Sequence, residues 1–223
     1  MKQFEEKVAI IINSNNPTGK AIRNSLENEG ATVRDIDVSI SKTDTAEKMI
    51  FNREQDLTRL DIVITIADSM YSKAKPIADT SLKEFRAVSR KNMETAFLAT
   101  KQSVLKMREL GIGGAIIHIT PLTGMKSYIG QAALSASSNG IKMMTKGAAL
   151  SCCEAGDNIR INHIQVGKID GGLAQEVLAN TAVPLSQKGT TTDIASAVNF
   201  FASKDSKYIT GYSLTLDGGI IAT

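Results

Sequence analysis

Gly130-Gln131-Ala132-Ala133-Leu134-Ser135-Ala136-Ser137-Ser138-Asn139-Gly140 opens a segment rich in small and apolar side chains that runs on to Cys152-Cys153. Ala132, Ala133, Leu134, Ala136, Ile141, Met143, Met144, Ala148, Ala149 and Leu150 all fall within it. Read as a helix, it carries more apolar positions than one core-facing stripe can hold. A helix of that kind needs burial on more than one side. A sheet can cover one face, so a partner subunit is the expected cover for the rest.

Outward from this helix, strand-like runs alternate with helical ones. Lys7-Val8-Ala9-Ile10-Ile11-Ile12, Leu60-Asp61-Ile62-Val63-Ile64 and Gly114-Ala115-Ile116-Ile117-His118-Ile119 read as strands, and Thr18 to Glu29 and Asn92 to Thr100 as helices. Such alternation predicts a parallel sheet covered on both faces. At 223 residues the chain fits one α/β domain spanning positions 1–223, with no repeat and no low-complexity linker. One interval is short. Between Asp37 and Asp61, Asp44 and Glu47 read as an N-cap and its partner, and Ala46, Met49, Ile50, Leu57 and Leu60 follow helical spacing behind them. A strand-helix-strand unit takes roughly 30 residues. The expectation is therefore a six-stranded sheet, with one outer strand-helix unit missing near positions 38–60. Asp35 to Ser39 fills either the second or the third strand's place.

The charge pattern narrows the partners. Net charge is +3, from 26 basic and 23 acidic residues scattered along the chain, which is no nucleic-acid footprint. No apolar run reaches the ~18 residues of a membrane helix. The charged start, Met1-Lys2-Gln3-Phe4-Glu5-Glu6-Lys7, leads directly into a strand, so no leader and a cytoplasmic location are expected. Cys152 and Cys153 are adjacent on one helix, a spacing that reads as reduced packing residues and not as a disulfide framework. His118 and His163 each stand alone on a strand, as packed residues do, and no metal site is read.

Residues 130–140 resemble the active-site helix of the short-chain dehydrogenase/reductase family, G-Q-A-A-Y-S-A-S-K-A-G. The resemblance extends through the strands and helices above to Asp193-Ile194-Ala195 and Ile209-Thr210-Gly211-Tyr212-Ser213-Leu214-Thr215-Leu216-Asp217-Gly218-Gly219. It is similar throughout to 3-oxoacyl-(acyl-carrier-protein) reductase-like members. This implies a three-layer, Rossmann-like, doubly wound parallel sheet. It also implies a site in which Tyr donates a proton, Lys lowers its pKa, Ser holds the carbonyl and Asn maintains the relay. The matching positions here are Leu134, Ser138, Pro121 and Asn92. Only Asn92 is retained.

The family's nucleotide-binding turn, T-G-x-x-x-G-x-G, is matched by Ile12-Asn13-Ser14-Asn15-Asn16-Pro17-Thr18-Gly19, where Gly19 alone keeps its glycine. Asp68 replaces the last residue of N-N-A-G, and Gly171 the Thr of P-G-x-I-x-T. Gly19 and Asp37 remain the weak candidates for cofactor contact, Asp37 at the place of a ribose-binding acid. The resemblance therefore implies a site with its NAD(P) cofactor weak or absent. The leading expectation is a non-catalytic member acting by association, as a homo-oligomer (dimer or tetramer) or with an active homologue. Two alternatives stand beside it. One is an enzyme using the remodelled cleft, an isomerase, a dehydratase or a reductase with displaced catalytic groups; Tyr128 and Lys126 lie on the loop before the helix, Tyr128 six residues short of the catalytic position. The other is a nucleotide or small-ligand sensor.

Overall fold

The computed structural model describes residues 2–36, 57–67, 74–171, 173, 178 and 180–223. Six parallel strands make its sheet: β1 (Val8–Ile12), β2 (Thr32–Ile36), β3 (Ile62–Ile66), β4 (Gly114–Pro121), β5 (Ile159–Val166) and β6 (Ser213–Leu216). Their order in space is β2-β1-β3-β4-β5-β6. The chain leaves β1 toward β2 and returns on the other side to β3. The crevice above the C-terminal ends of β1 and β3 is thus the switch point where such folds bind ligands. The expected six strands are present. Most of the short interval, positions 37–56, and with it Asp37 and the helix read behind Asp44, lies outside the described residues.

Parallel strands covered on both faces read as continuous apolar runs. Ile62-Val63-Ile64-Thr65-Ile66 is buried at every position. Alternation sorts these side chains to two cores. Ile11, Ile64, Ile117, Ile164 and Val166 meet Ile22 and Leu26 of helix α1 (Pro17–Asn28) and Ile194, Val198 and Phe201 of a C-terminal helix, Thr191–Ala202. On the opposite face, Ile10, Val63, Ile116 and Ile161 meet two longer helices. These are Thr95–Glu109, through Leu98, Ala99 and Met107, and Ala132–Ala155, through Ala149 and Cys152. In chain order the remaining helices are α2 (Leu82–Ser89), α3 (Thr95–Glu109), α4 (Ala132–Ala155) and α5 (Thr191–Ala202).

Local chemistry sets the boundaries of these helices. Ser81 and Glu84 close a reciprocal capping box on α2, as Thr190 and Asp193 do on α5. Gly156 ends α4 in the left-handed region at φ 70°, where a side chain is disfavoured. Between α2 and α3, residues Arg90–Glu94 form a wide π-type turn with Asn92 in it. Such turns recur at functional sites.

The α3/α4 face also carries a buried polar row. Thr65 Oγ1 lies 2.6 Å from His118 Nδ1, and Thr100 Oγ1 lies 3.0 Å from its Nε2. Thr120 Oγ1 lies 2.9 Å from His163 Nε2, and Ser213 Oγ 3.2 Å from its Nδ1. Thr100 donates to the Ala96 carbonyl and Thr120 to that of Pro121. Each is then left accepting from Nε2–H, while Thr65 and Ser213 donate to Nδ1. Both rings are neutral, and burial holds their pKa values at about 4 and about 3. The two histidines are packed residues, as their isolation on strands suggests. Cys152 is buried, but Cys153 is exposed, correcting its reading as a packing residue. Neighbours on a helix point about 100° apart, and here one of them points outward.

Candidate functional site

The turn after β1 builds the site's first wall. Asn13 sits at φ 61°, left-handed backbone that Asn tolerates and for which glycine is the usual choice. Its Nδ2 donates to the Ile66 carbonyl at 3.2 Å, fastening the ends of β1 and β3 together. Asn16 caps α1: its Oδ1 accepts from the Gly19 amide at 3.0 Å, and its Nδ2 donates to the Asn13 carbonyl at 2.8 Å. Pro17 occupies the first helical position, where φ is already helical and the missing amide has no intrahelical role. A Cβ on Gly19 would lie 2.1 Å from the Ser14 carbonyl oxygen, so only glycine allows this approach of helix and turn. Thr18 is fully buried, and its hydroxyl has no hydrogen-bond partner.

This geometry corrects the reading of the turn as disabled. Asn13 adopts the left-handed backbone usually left to glycine, Pro17 sits where its φ is helical, and the N-terminus of α1 lies at the switch point. A helix N-terminus in that position suits an anionic group. The described residues fit the pyrophosphate of a dinucleotide, with the 13–19 backbone as its cradle and the Asn16 cap on Gly19 as the contact that must yield. Asp68 lies outside the described residues.

The second wall comes from β4, the wide turn and the start of α4. Pro121 ends β4, paired with Val166. Asn92 is 2% exposed and its Nδ2 donates to Ser137 Oγ at 3.3 Å; Ser137 in turn donates to the Leu134 carbonyl at 3.0 Å. Leu134 is buried and borders a cavity of about 200 Å³, lined also by Lys75, Glu84, Val88 and Gly130. Ser138 is sealed, with its hydroxyl 3.3 Å from that of Thr123. The structure thus gathers Asn92, Pro121, Leu134 and Ser138 at one end of the sheet, as their spacing implies. Neither Leu134 nor Pro121 carries a side-chain proton.

Two features of this end are not evident from sequence. Gln165 on β5 is fully buried, with both carboxamide atoms unpartnered, and its Nε2 lies 2.9 Å from where a Cβ on Gly124 would stand. The Tyr128 hydroxyl is buried beside the Thr181 side chain without a hydrogen bond of normal geometry. Burial pushes its pKa up, and the charge of Asp217 adds to the shift. The sequence offered Tyr128 only by its position and Gln165 not at all, because partner loss is a property of the packed state. No group of three His, Cys, Asp or Glu side chains able to hold a metal occurs among the described residues.

An open-ended parallel sheet with a helix N-terminus at its switch point defines a Rossmann-type nucleotide-binding class of protein. The profile of the Enoyl-(Acyl carrier protein) reductase family matches residues 2–221, and the chain belongs to that family, within the short-chain dehydrogenase/reductases. It is 28% identical to an NADP-dependent (R)-specific alcohol dehydrogenase of Lentilactobacillus kefiri, over 99% of this chain and 98% of the relative. Over 92% of this chain and 84% of the relative, it is 30% identical to a 3-oxoacyl-(acyl-carrier-protein) reductase of Chlamydia trachomatis serovar D. The crystal structure of levodione reductase superposes with a TM-score of 0.88 at 22% identity, covering 99% of each chain.

These relatives overturn the expectations of a non-catalytic subunit and of an absent NAD(P) cofactor. Proteins matched almost end to end bear dehydrogenase and reductase names, one of them NADP-dependent. The physical reason is that Leu134 and Ser138 remove one route of proton delivery. They leave untouched the turn at the other end of the crevice, where Asn13 takes the left-handed backbone and Gly19 the close helix-turn approach.

Proposed function

We propose that this chain is an NAD(P)-dependent oxidoreductase interconverting a hydroxyl and a carbonyl group on a small organic substrate. The observation that carries the reading is the 13–19 turn, which keeps a dinucleotide cradle despite its substitutions. The dehydrogenase and reductase names of its relatives support the same class. Bound nicotinamide would supply or accept the hydride. The chain's own part is then to hold the dinucleotide at the 13–19 turn and to orient the substrate between the α4 start and the β5 end. Asn92, through Ser137, fixes the first turn of α4 against the wide turn.

Exposed apolar side chains support self-association as part of this reading. Phe97 and Leu105 on α3 are 51% and 48% exposed, and Met143 and Leu150 on α4 are 57% and 71%. Met144, by contrast, is half-buried, so Met143 marks the outward face. The partner we assign is a second copy of the chain. No helix among the described residues is long and apolar enough to cross a membrane. The free thiols of Cys152 and Cys153 suit a reducing compartment, which supports a cytoplasmic location.

Titrating the purified chain with NAD+, NADH, NADP+ and NADPH tests the cofactor. At least one should bind with a dissociation constant within roughly the 1 μM–1 mM range usual for enzyme ligands. Absorbance at the nicotinamide band, followed with a panel of small ketones and secondary alcohols, tests turnover. No binding of any of the four would refute the reading.

A further inference from the structure

We propose that Tyr128 is the proton donor of this site, in the place that Leu134 leaves without an acid; the proposal rests on the oxidoreductase reading. Tyr128 lies on the loop between β4 and α4, in a turn closed by the Gln131 amide on its carbonyl at 3.1 Å. The loop is held at both ends: Ser127 Oγ meets Ser135 Oγ at 3.0 Å, and Lys126 Nζ donates to the Ile220 carbonyl at 3.3 Å. The phenol is therefore positioned by the same first turn of α4 that carries Leu134.

Its hydroxyl is placed where three C-terminal loops converge. Tyr128 follows β4, Thr181 follows β5 and Asp217 follows β6, and the hydroxyl lies beside Thr181 within reach of the Asp217 charge. The C-terminal ends of parallel strands are where such sheets hold their ligands. A buried hydroxyl there, beside Thr181 but without a hydrogen bond of normal geometry, is a donor open to a ligand's acceptor. Among the described residues, His118 and His163 are fully enclosed among hydroxyl groups, and Tyr208 and Tyr212 are exposed.

The electrostatics suit a donor. Burial and the Asp217 charge hold the phenol protonated. Lys168 donates to the Thr181 carbonyl at 3.0 Å, which anchors the loop that carries Thr181. In the reducing direction, the substrate carbon gains a hydride from reduced nicotinamide and the C=O π pair moves onto oxygen. The Tyr128 O–H bond breaks as its proton joins that oxygen, giving an alcohol and a phenolate that solvent reprotonates. An alkoxide is a stronger base than a phenolate, so the transfer runs downhill even from a phenol of raised pKa.

Tyr128→Phe removes the proton and keeps the ring. The variant should bind the preferred nucleotide within about twofold of the parent, and lose turnover by about 10²–10⁴-fold, the usual value of a positioned general acid. A second readout does not need turnover. The ultraviolet titration of the parent minus that of the variant isolates the Tyr128 phenol, and its midpoint should fall when oxidised nucleotide, with its cationic ring, is bound. Turnover within threefold of an active parent, or a midpoint unmoved by nucleotide, would overturn Tyr128 and leave the oxidoreductase reading standing. A parent that binds nucleotide yet converts none of the carbonyl panel would overturn the reading, and the proton donor with it.

Discussion

Acidification from pH 7 to pH 5 should cost this fold a large part of its stability through two residues, His118 and His163. Both rings are buried and neutral, with pKa values held at about 4 and about 3 against 6.5 for an exposed histidine. Desolvation is the main cause, and His163 is depressed further by His118, its register neighbour on the adjacent strand. The folded pKa is lowered, so between pH 6.5 and about pH 4 the unfolded chain binds both protons and the folded chain binds neither. Stability therefore rises with pH across that window and is lost as pH falls through it. Each ring contributes about 1.4 kcal/mol per pH unit, or about 2 kcal/mol at pH 5, and the two together about 4 kcal/mol. That is a large share of the 5–15 kcal/mol typical of a domain. The carboxylates add little in this window. Glu84, at about 2, and Asp61, lowered by Arg59 and Lys7 against its burial, titrate below it. Urea unfolding followed by circular dichroism at half-unit steps from pH 7 to 5 measures the slope. His118→Gln, which cannot titrate, should start less stable at pH 7 and lose stability about half as steeply. Equal slopes in parent and variant, or a parent whose stability is flat from pH 7 to 5, would refute the assignment of neutral buried rings.

The fold was legible because its determinants are local and repetitive. Five consecutive buried residues in β3 and seven in β4, most of them apolar, specify parallel strands without reference to any partner. The nucleotide turn was misjudged because residue type was read in place of backbone conformation. Proline lowers the fitness of a flexible loop, but at a helix's first position it suits the φ required, and Asn13 adopts the left-handed geometry otherwise left to glycine. The catalytic end was only half legible. The family resemblance names Asn92, Pro121, Leu134 and Ser138, but it cannot show which hydroxyl loses its water on packing. In the sequence Tyr128 stands out only as a residue near the catalytic position, and Gln165 not at all; the burial of their polar atoms without partners is a property of packing.

Three further outcomes follow from named contacts. Met143→Glu, on the exposed face of α4, should shift light scattering from an assembly to a monomer while leaving the circular dichroism spectrum unchanged; a monomeric parent would refute the self-association. Gln165→Met removes two unpartnered buried polar atoms at similar volume and should leave stability equal or raise it by about 1 kcal/mol in urea unfolding; a loss of more than about 2 kcal/mol would show that the carboxamide has a partner. Gly19→Ala is the sharpest test of the turn, because its Cβ would stand 2.1 Å from the Ser14 carbonyl oxygen and 2.5 Å from Ser14 Cα, both rigid backbone. Helix α1 must then move off the turn, separating the Asn16 cap from the cradle it positions. Stability should fall by roughly 1–3 kcal/mol, as overpacking does, and nucleotide affinity by at least about tenfold. A Gly19→Ala chain of parental affinity would mean that the dinucleotide does not use this turn at all.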